Sequence, residues 1–262
     1  ILDAPLAKVG GKGLFVKELE HGLLNRAADL AVHSMKDVPA DLPEDLHLPV
    51  ILEREDPRDA LVSSRFNALS ALPEDAKIGT SSLRRQAQIR RYRPRASIVP
   101  LRGNVGTRLS KLETEGLDAV ILAAAGLIRL GKRALITEWL SPEICLPAVG
   151  QGAIGIECRR GDDRIESMIA VLHHPDTADC VLAERSFNAR LDGGCQVPIA
   201  GYAQLQGDRI TLSGRVADPD GSQMLAESIS GPRSNAESLG VELAERLLDL
   251  GARSILSRVL GS

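Results

Sequence analysis

The residues best suited to chemistry are a cysteine in a glycine-rich turn, Gly193-Gly194-Cys195-Gln196-Val197-Pro198, and arginines at the unfavourable ends of helices. Thr80-Ser81-Ser82-Leu83-Arg84-Arg85 reads as a strand end running into a helix start, and Asn104-Val105-Gly106-Thr107-Arg108 reads the same way. The dipole already gathers positive charge at a helix N-terminus, so a cation in the first turn costs roughly 0.3–1 kcal/mol. Positions that break a local rule are where function is to be sought. A bound carboxylate or phosphate reverses the sign of that cost, because backbone N–H groups and guanidinium forks converge on it. Taken with the thiol, the pattern points to a polyanion that is attached, at some stage, to sulfur. Two glycines free the backbone around Cys195 and place it on a loop, where site residues concentrate.

The charge distribution agrees. The chain of 262 residues has a net charge of only −3, yet the stretch from Lys77 to Lys111 holds ten Lys/Arg and no Asp or Glu. Such a stretch suits an anionic ligand or a nucleic acid. A merely solvated helix face accounts for Arg90, Arg91 and Arg93, which fall late in a helix and complement its dipole. It does not account for Arg84, Arg85 or Arg108. Nucleic acid is disfavoured, because one Trp, two Tyr and three Phe serve the whole chain and strand-stacking platforms need more.

Cofactor and metal motifs are weak. The cysteines Cys145, Cys158, Cys180 and Cys195 form no C-x-x-C pair, and no Cys/His spacing suggests zinc. Reduced thiols in a cytoplasmic protein are the simplest reading, with the first three as small buried hydrophobes. His173-His174-Pro175 lacks supporting ligands, so no metal is expected. Gly150-x-Gly152-x-x-Gly155 spells the dinucleotide fingerprint, but Gly155 falls inside an expected strand rather than opening a helix. Gly10-Gly11-Lys12-Gly13 lacks the upstream glycine of a P-loop, although Lys12 is another cation at a helix start.

These residues need elements to hold them. Helical spacing runs from Lys12 to Arg26, and a short strand at 29–32 opens into His33-Ser34-Met35-Lys36-Asp37-Val38-Pro39. Ligands of open α/β sheets bind at the carboxyl ends of strands, which puts this loop in a functional position. Further strands are expected at 48–52, 60–62, 77–79, 97–101, 118–122 and 153–158, with helices at 82–92, 107–115 and 124–130. The alternation predicts mostly parallel sheets, and two crossings between two α/β units predict a hinged cleft. Residues 176–191 and 235–250 read as helices around strands at 199–205, 209–217 and 223–230, a small α+β unit with an antiparallel sheet. Asp37 has two readings: it pairs with Lys36 or caps the turn before Pro39, or it stabilises a cation developing on a substrate whose anionic groups the arginines hold. His33 is equally open between a site role and a structural one.

Read together, His33–Pro39, Gly79–Arg85, Leu101–Arg108, Leu146-Pro147-Ala148-Val149-Gly150-Gln151-Gly152 and Gly193–Pro198 closely resemble the porphobilinogen deaminase family, in the family's order and over nearly the whole chain. The resemblance implies two α/β domains like type II periplasmic binding proteins, with a hinged cleft, plus the C-terminal α+β domain. Their expected extents are 1–53 with 151–172, then 58–146, then 175–262. It implies condensation of four porphobilinogen molecules head to tail, with release of ammonia, to hydroxymethylbilane. It implies a dipyrromethane cofactor on Cys195 through a thioether, and Asp37 as the catalytic carboxylate. Lys12, Ser34, Lys36, Thr80, Ser81 and Ser82 fall at or beside positions that hold cofactor and substrate carboxylates. So do Arg84, Arg85, Arg102, Gly103, Asn104, Arg108, Arg129 and Gln151.

The resemblance also implies a strand and helix before Ile1, with an arginine and a serine that help to bind substrate. Because the chain begins Ile1-Leu2-Asp3 rather than with Met, the expectation is a fragment lacking that segment. No apolar run approaches the ~20 residues that span a membrane, and a monomer is expected. The competing reading is a non-catalytic two-lobed carrier of an anionic small molecule, which needs no thiol at Cys195.

Overall fold

The computed structural model describes residues 14–193 and 197–260. The first α/β unit holds helix α1 (Leu14–Leu24) and strands β1 (Leu30–Ser34) and β2 (Leu46–Ile51). The second holds β3 (Asp59–Val62), β4 (Lys77–Gly79), α2 (Leu83–Tyr92), β5 (Ser97–Val99), α3 (Val105–Thr114), β6 (Ala119–Ala123), α4 (Ala124–Arg129) and β7 (Glu138–Trp139). The chain then returns to the first unit through β8 (Ile154–Arg159) and α5 (Asp163–Ile169). The last part comprises α6 (Pro175–Arg190), β9 (Ile199–Gln206), β10 (Arg209–Ala217), β11 (Met224–Pro232), α7 (Ala236–Asp249) and α8 (Ala252–Leu260). The class is α/β with a small antiparallel C-terminal sheet, as expected. The short α5, β7 and α8 were not anticipated.

Strand orders are β1-β8-β2, β5-β4-β6-β3-β7 and β11-β10-β9. Among the described residues, parallel pairing is limited to β4 with β5 and β4 with β6. Strand β8 runs antiparallel to both β1 and β2, and β3 runs antiparallel to both β6 and β7. The expectation of mostly parallel sheets is thereby corrected to mixed sheets. Strands β3 and β8 are the first after each crossing, and a chain arriving from the other unit enters its sheet from the opposite end.

The central sheet is buried on both faces, which explains the unbroken apolar run Ala119-Val120-Ile121-Leu122. Leu61, Ala119 and Ile121 pack with Ile78, Ile89 and Leu140 on one side. Ala60, Val62, Val120 and Leu122 pack with Leu101, Leu112 and Leu127 on the other. In the C-terminal part, Phe187 of α6 and Leu243 and Leu247 of α7 close over Ile210, Leu212 and Val216 of β10.

The two crossings lie side by side. Leu52 N donates to Ile154 O at 2.9 Å, and Glu55 N donates to Gly152 O at 3.2 Å. Gly152 has φ +90°, and a Cβ there would collide with the Glu55 carbonyl oxygen. Glycine is therefore required by the close approach of two backbones, and Gly155 lies within β8. That is the physical content of the apparent dinucleotide fingerprint. Among the described residues, no helix is long and apolar enough to cross a membrane.

Candidate functional site

Helix α2 begins as the sequence suggests, with Ser82 as its N-cap accepting from Arg85 N at 3.5 Å. Its arginines do not wait for an external anion. Arg84 and Arg85 are buried, and both bind Asp59, the fully buried first residue of β3. Arg84 Nη1 donates to Asp59 Oδ2 at 2.7 Å and to Leu146 O at 2.7 Å. Arg85 Nε donates to Asp59 Oδ1 at 2.9 Å, and Gln151 Nε2 donates to the same oxygen at 2.9 Å. Burial alone would raise the Asp59 carboxyl, but the two guanidinium groups hold it well below the usual carboxylate range. The protein itself thus supplies an anion, Asp59, to the helix-start charges of both Arg84 and Arg85. Gln151, expected at the cofactor, stands at the hinge, where it is buried and also donates to Pro57 O at 2.7 Å.

Helix α3 begins differently. Asn104 is its N-cap, its Oδ1 accepting from Thr107 N at 2.9 Å. The helix starts at Val105, so Arg108 stands at the end of the first turn. Arg108 is half-buried, its Nε donates to Gly103 O at 2.8 Å, and it forms no ion pair with a carboxylate among the described residues. Burial and the neighbouring charge of Arg85 push its guanidinium down, while Asp37 acts in the opposite sense. Gly103 has φ +101°, with Thr107 where a Cβ would stand. Arg102 beside it is exposed.

Across from α3, Met35–Asp37 forms one 3-10 turn after β1, with Ser34 before it. Met35 N donates to Ala153 O at 3.0 Å and Met35 is buried, which anchors the turn to the return crossing. Asp37 is exposed and Lys36 half-buried. Burial and Arg85 push the Lys36 ammonium down, Asp37 and Asp59 oppose this, and Arg84 adds to it. Lys36, Asp37, Arg85 and Arg108 thus share one electrostatic neighbourhood, built from β1, α2 and α3.

The other expected residues distribute between surface and scaffold. Thr80 is buried, and its Oγ1 accepts from Ser82 N at 3.3 Å. Ser81 is exposed and donates to Leu101 O at 2.5 Å. Arg129, at the end of α4, donates to Gly152 O at 2.7 Å. His33 takes the structural reading: its Nε2 lies 2.7 Å from Glu157 Oε2, and both side chains are buried. Lys12 and Cys195 lie outside the described residues. The described flanks of the cysteine loop are anchored, Gly193 N to Asn188 O at 2.8 Å on one side and buried Val197 on the other. Cys145, Cys158 and Cys180 are free and buried, as expected of small hydrophobes. Burial and Asp59 push the Cys145 thiol up to about 12, and burial and Glu184 push that of Cys180 up to about 11.

The sequence reading missed the residues that hold these parts together. Glu184 of α6 is fully buried, and its carboxylate accepts from Arg54 Nη1 at 2.6 Å, Gly150 N at 2.7 Å and Ala203 N at 2.8 Å. One carboxylate therefore joins both crossings to the C-terminal part. Arg185 donates to Val38 O at 3.2 Å and to Pro39 O at 2.8 Å, holding the segment just after Asp37. Arg215 of β10 donates to Gln88 Oε1 of α2 at 2.8 Å. The available signal was Asp59, a charge opening an otherwise apolar strand, and Glu184 at helical spacing within an apolar face.

Several solved structures are similar to this chain. A candidate methionine-binding lipoprotein of Bacillus subtilis is 14% identical, with a TM-score of 0.40, over 62% of this chain and 77% of that one. An ABC-transporter periplasmic substrate-binding protein of Coxiella burnetii is 13% identical, with a TM-score of 0.38, over 63% and 79%. A TRAP periplasmic solute binding protein of Desulfovibrio salexigens is 11% identical, with a TM-score of 0.37, over 65% and 60%. The family comparison is specific. Residues 1–167 match the model of the porphobilinogen deaminase dipyromethane cofactor binding domain, and residues 178–249 match that of the porphobilinogen deaminase C-terminal domain. With both models matched in order over most of its length, this chain belongs to the porphobilinogen deaminase family.

Proposed function

We propose that the chain condenses four porphobilinogen molecules head to tail, with loss of ammonia at each step, to give hydroxymethylbilane for haem or chlorophyll biosynthesis. It does so as a cytoplasmic monomer of three units: 1–53 with 151–172, 58–146 and 175–262. A dipyrromethane group is held on Cys195 through a thioether. The observation that carries the reading is that Asp37, exposed on the turn after β1 of one α/β unit, shares an electrostatic neighbourhood with Arg108 and Arg85 of the other.

The charges fit such a ligand. Arg85 acts on both Lys36 and Arg108, Asp37 opposes it at both, and Asp59 is already bound by Arg84 and Arg85, which leaves Lys36 and Arg108 with an excess of positive charge beside Asp37. Every porphobilinogen ring bears an acetate and a propionate, so a dipyrromethane brings four carboxylates to this surplus of positive charge. When bound, that group supplies a nucleophilic pyrrole carbon for chain growth.

The protein's own contributions follow from the geometry. Arg108 and exposed Arg102 hold ring carboxylates, guanidinium suiting bidentate contacts better than ammonium does. Lys36 adds charge to the same groups. Departure of ammonia from porphobilinogen leaves an electrophile whose positive charge is delocalised onto the pyrrole nitrogen. Asp37, exposed at its turn, stabilises that charge and accepts the pyrrole N–H. Arg185 fixes where Asp37 stands by gripping the carbonyls of Val38 and Pro39. The side-by-side crossings at Leu52–Glu55 and Gly152–Ile154 are the place for hinge motion as the chain lengthens.

Intact-protein mass tests the reading. Protein from a host that makes porphobilinogen should carry an adduct of two pyrrole units, absent in Cys195→Ala; an unmodified wild-type mass favours the carrier reading instead. Asp37→Asn should keep the adduct and lose roughly 10²–10⁴-fold in turnover, the range of a positioned acid–base group. Normal turnover in that variant removes Asp37 from its role.

A further inference from the structure

In the first unit, three side chains with metal-binding chemistry converge, His47 from one part of the sequence and Cys158 and Glu166 from another. His47 of β2 and Cys158 of β8 are direct partners in the antiparallel register. Glu166 of α5 reaches the same point from the helix that follows β8. His47 Nε2 lies 3.0 Å from Glu166 Oε1 and 3.6 Å from Cys158 Sγ, and all three donor atoms fall within 4.8 Å of one another.

We propose that His47, Cys158 and Glu166 form a site for a zinc-class divalent cation, three protein ligands leaving a fourth position to water. Zinc bonds of about 2.0–2.3 Å to nitrogen, oxygen and sulfur, arranged tetrahedrally, put neighbouring donor atoms about 3.3–3.6 Å apart. The His47–Glu166 and His47–Cys158 separations are close to these values, and the Cys158–Glu166 pair, within 4.8 Å, closes by side-chain adjustment. The mixture of thiolate, imidazole and carboxylate suits zinc rather than calcium or magnesium, which take oxygen ligands.

The supports are rigid where precision matters. Two ligands stand on neighbouring strands, where directly opposed side chains hold Cβ atoms about 4.5–5.5 Å apart. The third stands on a helix capped by Asp162, whose Oδ1 accepts from Ile165 N at 3.3 Å. Gly161 N donates to Glu166 Oε1 at 3.2 Å and orients the carboxylate. An entry path exists, since the His47 and Glu166 side chains are 21% and 32% exposed while Cys158 is buried behind them. On binding, the Cys158 thiol gives its proton to solvent, sulfur donates to the cation as thiolate, and His47 binds through neutral Nε2. Bound metal would tie α5 to the β2–β8 pair.

Cobalt and zinc titrations of the chelator-treated full chain test this. Co²⁺ should give a thiolate-to-cobalt charge-transfer band that is lost in Cys158→Ser. Zn²⁺ should bind at one equivalent by calorimetry. Glu166→Gln and His47→Ala should each weaken it by at least the roughly 10- to 100-fold that losing even a supporting partner costs. Zn²⁺ should also raise the melting temperature of the wild type but not of Glu166→Gln, a nearly isosteric change at a half-exposed position that leaves the fold intact. A wild type that binds no zinc overturns the proposal. So does a charge-transfer band that survives Cys158→Ser, or a zinc affinity unmoved by Glu166→Gln and His47→Ala.

Discussion

Helices α2 and α3 both carry arginine in the first turn, and the two are treated in opposite ways. At α2, the tertiary structure supplies the missing anion: Asp59 enters from β3 and takes hydrogen bonds from Arg84 and Arg85 inside the molecule. At α3, Asn104 caps the backbone, while Arg108 turns back onto Gly103 O and stays half-exposed in the neighbourhood of Asp37. The same violation of dipole preference therefore serves a hinge in one place and, under the proposed function, a ligand surface in the other. What separates them is burial, because a buried guanidinium must have its partner built in, whereas an exposed one can receive it from solution.

The largest effect that could break this contrast lies at α2. Arg84→Ala should destabilise the protein by about 3–5 kcal/mol, the usual cost of removing one partner of a buried ion pair. Denaturant unfolding checks this, and a loss below about 1 kcal/mol, the scale of an exposed pair, would erase the distinction from α3. Its pH dependence sharpens the point. Asp59 is held below its ordinary 3.8, so its stabilising charge is fully present above that value and lost as pH falls through the lower folded value. Wild type should therefore lose stability steeply below about pH 4, and Arg84→Ala less steeply, as followed by acid titration of the unfolding midpoint.

Arg108→Ala should do the reverse. Its melting temperature should stay close to wild type, while kcat/KM falls about 10- to 100-fold, matching the loss of one charge-assisted hydrogen bond of roughly 1.5–3 kcal/mol. Arg108→Lys should recover part of the loss but not its bidentate share. Unchanged steady-state kinetics in Arg108→Ala would make α3 a solvated face. The smallest effects are at the caps. Ser82→Ala and Asn104→Ala should each cost about 0.5–2 kcal/mol, but only Asn104→Ala should also reduce turnover, because its helix end presents Arg108. Equal kinetic effects in the two variants would blur the comparison.

Much of the architecture was legible because local chemistry dictated it. Ser82 and Asn104 mark helix starts. Alternation of strands with helices gave the α/β class, and the three consecutive strand runs at 199–205, 209–217 and 223–230 gave the C-terminal antiparallel sheet. Strand direction was not legible. Whether β3 and β8 run parallel or antiparallel depends on which end of the sheet the chain reaches after crossing, and no short window contains that information.

The same division runs through the site. By itself, the sequence determined which groups were available: a basic stretch without carboxylates from Lys77 to Lys111, a glycine-flanked Cys195, and Asp37 at the end of a strand. These are properties of composition and near neighbours. Only the tertiary structure decided that Arg84 is answered by Asp59, that Gln151 belongs to the hinge, that Glu184 ties both crossings to α6, and that His47, Cys158 and Glu166 meet. The Asp59–Arg84 pair spans 25 positions, Arg54–Glu184 spans 130 and His47–Cys158 spans 111, and a pairing at such separations is set by packing rather than by any local preference of the chain.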